Sequence, residues 1–461
     1  MSEAPKRILT THTGSLPRPD RLLAMLLARE NGEGDQPALE AEVKSAVAEI
    51  VRTQIDAGVD IVNDGEMGKI GYSTYVKDRL TGFGGESVIL GGPRATARLT
   101  DLADFPKLAE RFLQVSSVRT LKMPACDGPI AYRGREDLRR DLENFQAALQ
   151  GVSPADTFMS AASPGVISLF LQNLHYPNRE AYLADLAAAM KTEYDAIHSA
   201  GFLLQLDCPD LAMGRHIQFG DQDLAEFRRN AALNVEALNH ATSDIPPARM
   251  RMHLCWGNYE GPHHRDVALR DILDIVLRAR PSMISLEAAN PRHAHEWKLF
   301  EEKKLPDGKT LIPGVIDSTN NFIEHPELVA QRIQNFARVV GRDRVVAGTD
   351  CGFATFAGVS MVDSQIVWAK FGAMAEGARI ASAELWKKTP RSAQGDGSGA
   401  SSRTKLAAAA EPSPKPARKR ARRIAAAKKA ARRITKPSTV SKRRKPASRG
   451  RLNKRKRRGS K

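Results

Sequence analysis

The chain of 461 residues is 42% hydrophobic, 27% charged and 6% aromatic, proportions of a globular protein with room for one large domain or two to three ordinary ones. Its formal net charge of +17 is unevenly spread: residues 391–461 hold 26 Lys/Arg against 2 Asp/Glu, net +24, and the rest hold 44 against 51, net −7. An acidic body with a basic tail excludes a uniformly basic nucleic-acid binder.

The first apolar run is RILTTHTGS (7–15), followed by a helical pattern, ALEAEVKSAVAEIVRTQIDAG (38–58), and a second run, VDIVNDGE (59–66). Within residues 80–150, GFGGESVILGGPRATARLTDL suggests a hairpin and then a polar helix, an insertion after the second strand. TFMSAASP (157–164) comes next, then the helical stretch 179–201, FLLQLDCPD (202–210) and the helical stretch 223–241. RMRMHLCWG (249–257), SMISLEAA (282–289), LIPGVIDS (311–318) and RVVAGTDCG (344–352) complete eight runs. Near-continuous apolar strands alternating with helices predict a parallel sheet covered on both faces. Eight units predict an α/β fold, a single (β/α)8 TIM barrel over 1–390; an open doubly wound sheet lacks its Gly-rich phosphate turn after the first strand. No Phe, Tyr or Trp follows Trp386, and the tail 391–461 is expected to be disordered, with transient helix around 416–433. No run of about 18 apolar residues predicts membrane insertion. The N-terminus lacks a signal-peptide core, so a cytoplasmic location is expected.

Each run ends in polar residues: Ser15, Asp64 and Glu66, Ser163, Asp207, His253 and Cys255, Glu287, Asp317, Cys351. In a barrel these are the C-terminal strand ends, where active sites are built. His253 and Cys255 leave one strand on the same side. With Cys351 and Glu287 at equivalent positions, they form a candidate site of two thiolates, an imidazole and a carboxylate, which favours zinc. His263, His264, His293 and His295 are expected in loops near the mouth as substrate contacts or proton donors, with ligation as the alternative. Asp64, Glu66 and Asp207 are either solvated strand-end acids or a cradle for an ammonium group. Cys208 is expected to be a packed thiol and Cys126 inert.

LTTHTGSLPRP (9–19), DIVNDGEMGK (60–69), QLDCPDL (205–211), MHLCWGN (252–258), SLEAANPR (285–292), GVIDSTNNFIEHPELVAQRI (314–333) and GTDCGF (348–353) together resemble the catalytic barrel of the cobalamin-independent methionine synthases. The resemblance implies Zn2+ on His253, Cys255, Glu287 and Cys351. It implies homocysteine held by Thr13, Gly14 and Ser15, with its amino group on Glu66 and Asp207, and a methyl donor. The chain departs from the pattern in having one barrel, Thr319 where the family places a histidine thought to act as an acid, and Cys208 in place of an acidic residue. Tyr259, His263 and His264 are candidates for that acid role. CWGNYEGPHH and NPRHAHEW are closer to a branch containing the epoxyalkane:coenzyme M transferases. Opening of an epoxide, or transfer of another alkyl group onto a thiol, is therefore the alternative to methylation of homocysteine. A reading of another class makes the tail a non-specific nucleic-acid or polyanion binder.

Overall fold

A computed structural model of the chain describes residues 6–87, 99–115 and 122–387. Seven parallel strands form one sheet in chain order: β1 (Ile61–Val62), β2 (Asp156–Ala162), β3 (Leu203–Asp207), β4 (Met250–His253), β5 (Met283–Leu286), β6 (Thr310–Ile316) and β7 (Gly348–Thr349). The first apolar run links the two edges. The Thr10 carbonyl accepts from the Asp60 and Ile61 amides at 3.1 and 3.0 Å, Thr11 N–H donates to the Ala347 carbonyl at 2.8 Å, and Ala347 N–H donates to the Leu9 carbonyl at 2.8 Å. First and last strands thus share one parallel neighbour, and the sheet curls in a way consistent with a TIM-type barrel. Seven of the eight apolar runs carry strands of this sheet, and the first bonds to both of its edges.

Alternation along the strands fills the interior in layers. Ile61, Phe158 and Leu203, with Leu9, Met283 and Val346 against them, make an apolar cluster separate from the main core. Two residues further along come the buried Thr11, Asn63, Ser160, Gln205 and Ser285. Arg251 crosses this polar layer, donating to Thr11 Oγ1 at 2.9 Å and the His12 carbonyl at 2.7 Å, 4.0 Å from the Phe158 ring. One step higher, Asp207 stands opposite His253, and His253 opposite Ser285. The same period of two therefore builds the floor and the site above it.

The main core lies between the sheet and its helices: α1 (Asp20–Glu30), α2 (Gln36–Asp56), α3 (Arg135–Ala148), α4 (Arg179–Ser199), α5 (Leu224–Ala241), α6 (Leu269–Val276), α7 (Pro326–Val340) and α8 (Ser364–Leu385). Side-chain caps fix several starts: Asp35, Asn178 and Asp223 accept from the amides of Ala38, Ala181 and Glu226. The buried stripe of α4, including Tyr182, Leu186, Met190, Tyr194 and Ile197, follows the three-to-four spacing of a helix seated on a sheet.

The stretch expected as an insertion is only partly separate from this layer. Its last helix, α3, buries Leu138, Phe145 and Ala148 and packs against α2 and α4, so it serves as a covering helix of the sheet. Its charged sequence disguised that role, since three inward residues in fourteen suffice. Shorter helices span Thr100–Ala103 and Pro106–Val115. Most of the expected hairpin (88–98) and the basic tail (391–461) lie outside the described residues. Among the described residues no helix is long and apolar enough to cross a membrane.

Candidate metal and substrate site

His253 ends β4, and Cys255 follows two residues later. Cys351 follows β7. Their ligand atoms all lie within 4.8 Å of one another, and all three residues are buried. The two sulfurs are 3.7 Å apart and not disulfide-bonded. Neither ring nitrogen of His253 has a hydrogen-bond partner, although such a buried group ordinarily finds one. Burial, then the charge of Arg251, holds its pKa down at about 3, so the imidazole is neutral with a free lone pair. The Cys255 thiol is pushed up, first by its hydrogen bond with Cys351 and then by burial. A zinc–sulfur distance of about 2.3 Å and tetrahedral angles separate two thiolates by about 3.8 Å. The donor types, the sulfur spacing and the unsatisfied imidazole all fit zinc.

Glu287 stands beside this trio and is not part of it. Its Oε1 accepts from the Trp256 amide at 2.7 Å and its Oε2 from Asn290 Nδ2 at 2.5 Å. Burial, then the adjacent Cys255, raises its pKa well above the carboxylate range.

The residues expected to hold a substrate meet next to the thiols. Gly14 has φ +143°, and a Cβ there would lie 2.6 Å from both Glu66 Oε1 and Ser160 Oγ, so only glycine leaves room for that carboxylate. Ser15 Oγ would be 2.0 Å from a Cβ on Gly352, which puts the Ser15 hydroxyl against the residue after Cys351. Thr13 Oγ1 lies 3.2 Å from the Thr349 carbonyl, and the Phe353 amide donates to the Ser15 carbonyl at 2.9 Å. Glu66 has φ 57°, an uncommon conformation for a side chain of its size. Its buried Oε2 is without a partner. Asp207 is pushed well above its ordinary range, first by burial and then by Glu66. Two neighbouring buried carboxylates, one with an idle oxygen, make a setting that favours a cation.

Residues 173–370 match the model of the cobalamin-independent synthase catalytic domain, a stretch that holds Asp207, His253, Cys255, Glu287 and Cys351. Methionine synthases of Thermococcus kodakarensis and Saccharolobus solfataricus are 26% and 24% identical over 377 and 383 residues, spanning 82% of this chain and 94% and 96% of theirs. The chain is similar to the cobalamin-independent methionine synthases over most of its length. Two solved structures share the fold. A B12-independent methionine synthase from Shewanella, in complex with selenomethionine, has TM-score 0.61 and 20% identity, over 82% of this chain and 99% of that one. A putative B12-independent methionine synthase from Listeria monocytogenes has TM-score 0.55 and 16% identity, over 83% and 100%.

Against the family pattern, the Thr319 hydroxyl and amide both donate to Asp317 Oδ1 at 2.7 Å, so this side chain is committed to its own turn. None of the three acid candidates joins the thiol–imidazole trio. The Tyr259 hydroxyl donates to Asp101. His263 Nδ1 faces Asp266 Oδ2 at 2.9 Å and its Nε2 the Tyr259 carbonyl at 3.0 Å, so both ring nitrogens must donate. His264 meets Asp104 at 2.8 Å on an exposed loop. His293 is buried between Asp266 at 3.0 Å and Glu296 at 2.9 Å, while His295 is exposed. Asp64 is buried, and burial first raises its pKa to about 6, which excludes the solvated reading. Cys208 is a packed thiol with its pKa raised well above normal by burial. Burial likewise raises the Cys126 thiol.

Several residues that organise the site escaped the sequence analysis. Asp350 accepts from three successive amides, Ala288, Ala289 and Asn290, each at 2.8 Å, and so ties the loop after Glu287 to the strand end before Cys351. Arg18 donates to the carbonyls of Glu66, Lys69 and Ala354 at 2.8–2.9 Å. Asn258 donates to the Gly352 carbonyl at 2.8 Å and accepts from Ser318 at 2.9 Å. Each stands inside a quoted motif, but its partners are remote in sequence. Tyr72 packs on Phe170 and Phe356, with ring centroids 6.0 and 5.4 Å away, and burial, then Cys255 and Cys351, keeps its phenol protonated.

Proposed function

We propose that the protein is a zinc-dependent methyltransferase that methylates homocysteine to methionine on a (β/α)8 barrel. The observation that carries this reading is the buried trio His253, Cys255 and Cys351 with the carboxylates Glu66 and Asp207 close by. His253, Cys255 and Cys351 would hold the ion, with Glu287 as the fourth candidate beside them. Zinc supplies a Lewis acid that keeps a bound thiol ionised near neutral pH. Glu66 and Asp207 accept hydrogen bonds from the amino group, and Gly14 leaves the room those contacts need. Ser15, held against Gly352, orients the amino-acid end relative to the thiols. Asp350 and Asn290 hold Glu287 and its loop in place, and Trp256 fixes one Glu287 oxygen through its amide. Positioning of this kind can itself remove several kcal/mol from a barrier. The Thr319 hydroxyl is committed to Asp317, so protonation of the leaving donor falls to another group or to water.

The relatives named methionine synthase support methionine as product and so homocysteine as acceptor. The test is methionine formation by the full chain with folate and non-folate methyl donors, beside an epoxide-plus-thiol assay. Methionine from homocysteine supports the proposal. A thioether formed only from an epoxide would replace it by the alternative chemistry.

For the tail we infer a separate role, non-specific binding of a polyanion such as nucleic acid. Its net +24 would release counterions from a phosphate backbone, and its lack of aromatic residues leaves no platform for stacking on bases.

A further inference from the structure

Away from the thiols, a cavity of about 550 Å³ opens between α1, α2, α3 and the segment after β1, a size within the range of small-molecule sites. Five carboxylates line it, and each is matched within the cavity wall. Lys77 meets Glu30 at 3.0 Å and Asp78 at 2.9 Å. Arg79 meets Asp141 at 2.5 Å. Arg140 meets Asp137, and Glu40 at 3.5 Å. Those three cations pair with all five acids and leave two negative charges over. Four more cations line the same wall, Arg29, Lys69, Lys122 and Arg133, and none has a carboxylate within ion-pair distance among the described residues.

Lys69 is the most constrained of the four. It is 6% exposed; its ammonium donates to the Ser160 carbonyl at 2.5 Å and lies 4.4 Å from the Tyr75 ring centroid. That leaves N–H groups unspent in a place where water is scarce. Arg133 donates to the carbonyls of Lys77 and Asp78 at 3.0 and 3.2 Å, which fixes its guanidinium without neutralising it. Seven cations against five carboxylates leave the lining at net +2, and a concave wall focuses that positive potential into its own volume.

We propose that this cavity binds a small polyanion, a ligand carrying two or more phosphate or carboxylate groups. Guanidinium groups recognise both chemistries, in bidentate fashion where geometry permits. The cavity also touches Gly68 and Lys69, two and three residues after Glu66, so occupancy bears on the loop that carries the amino-group acceptor. The site stands whether or not the metal-centre reading holds, because it shares no residue with that centre.

The experiment is calorimetric titration of the full chain at physiological ionic strength with inorganic pyrophosphate and, separately, with citrate. Because the tail also attracts anions, two variants of equal net charge are compared: Arg29→Glu with Lys122→Glu, and Lys303→Glu with Lys304→Glu on an exposed loop. We expect a saturable one-to-one component in the unaltered chain for at least one probe. It should weaken at least tenfold in the first variant and persist in the second. Preference between the probes assigns the phosphate or the carboxylate source. Equal weakening in both variants, or no saturable component with either probe, overturns the proposal. Arg133→Gln, which keeps a hydrogen-bonding side chain, guards against misfolding of the doubly reversed variant and should also weaken binding.

Discussion

At the scale of single residues, the thiols and the buried acids make opposite demands. Cys255, its thiol pushed up by Cys351 and by burial, needs a cation to ionise, so Cys255→Ser or Cys351→Ser should reduce bound metal below about a tenth of the unaltered level, measured by elemental analysis. Full metal content in both variants would refute the ligand assignment. Asp207→Asn should keep its metal but lose a charged acceptor opposite an ammonium. A loss of about 1.5–3 kcal/mol would raise the KM for homocysteine roughly 10- to 100-fold, whereas a thiol substrate without an amino group would be little affected. The strand-end positions of His253, Cys255 and Cys351 were legible in the sequence because period-two alternation and strand termini are local properties. Asp350 was not, although it sits beside Cys351, because its worth lies in three amides some sixty residues away. Asp350→Ala leaves those N–H groups buried and unpaired. It should cost about 3 kcal/mol or more, read as a lower denaturation midpoint together with weaker metal retention.

At the scale of elements, two site loops are joined through charge. Burial alone would lower the pKa of His263, but its hydrogen bond to Asp266 lifts it to about 9. His293 is lifted by Asp266 and Glu296 to about 10 against the same burial. Both values exceed the ordinary histidine value of 6.5. The stabilisation is therefore fully present below about pH 6.5 and is lost as pH rises through the range 9 to 10. Chemical denaturation of the full chain should show stability declining from near neutrality to pH 10, and Asp266→Asn should flatten that decline. A pH-independent midpoint across this window would contradict the pairing. The sequence pattern puts these histidines in loops near the mouth but does not reveal this network, since Asp266 and Glu296 look like any other loop acids. The only non-glycine residues with left-handed backbone among those described, Glu66 and His263, sit on site loops, where strain tends to collect. No residue-type pattern announces it.

At the scale of the whole molecule, one chain joins an acidic catalytic body to a tail of net +24. The (β/α)8 reading came from eight apolar runs; the structure sets seven of them as strands of one curled sheet, with the first bonded to both edges. The helix over 135–148 was harder to place, because a surface helix with three inward residues reads as an insertion until its neighbours are known. A chain ending at Pro390 should keep metal and turnover but lose affinity for DNA and RNA. In the full chain that affinity should fall steeply between low and moderate salt. Equal affinity in the full and shortened chains would show that the tail is not the binding element.

The central claim is that the buried trio is a zinc centre to which a substrate thiol is brought. X-ray absorption at the zinc edge, recorded on the full chain before and after addition of homocysteine, tests it most directly. We expect zinc bound by the two sulfurs of Cys255 and Cys351 with lighter-atom ligands, and a third sulfur once homocysteine is present. A zinc environment without sulfur, or a sulfur count that homocysteine leaves unchanged, would contradict the account.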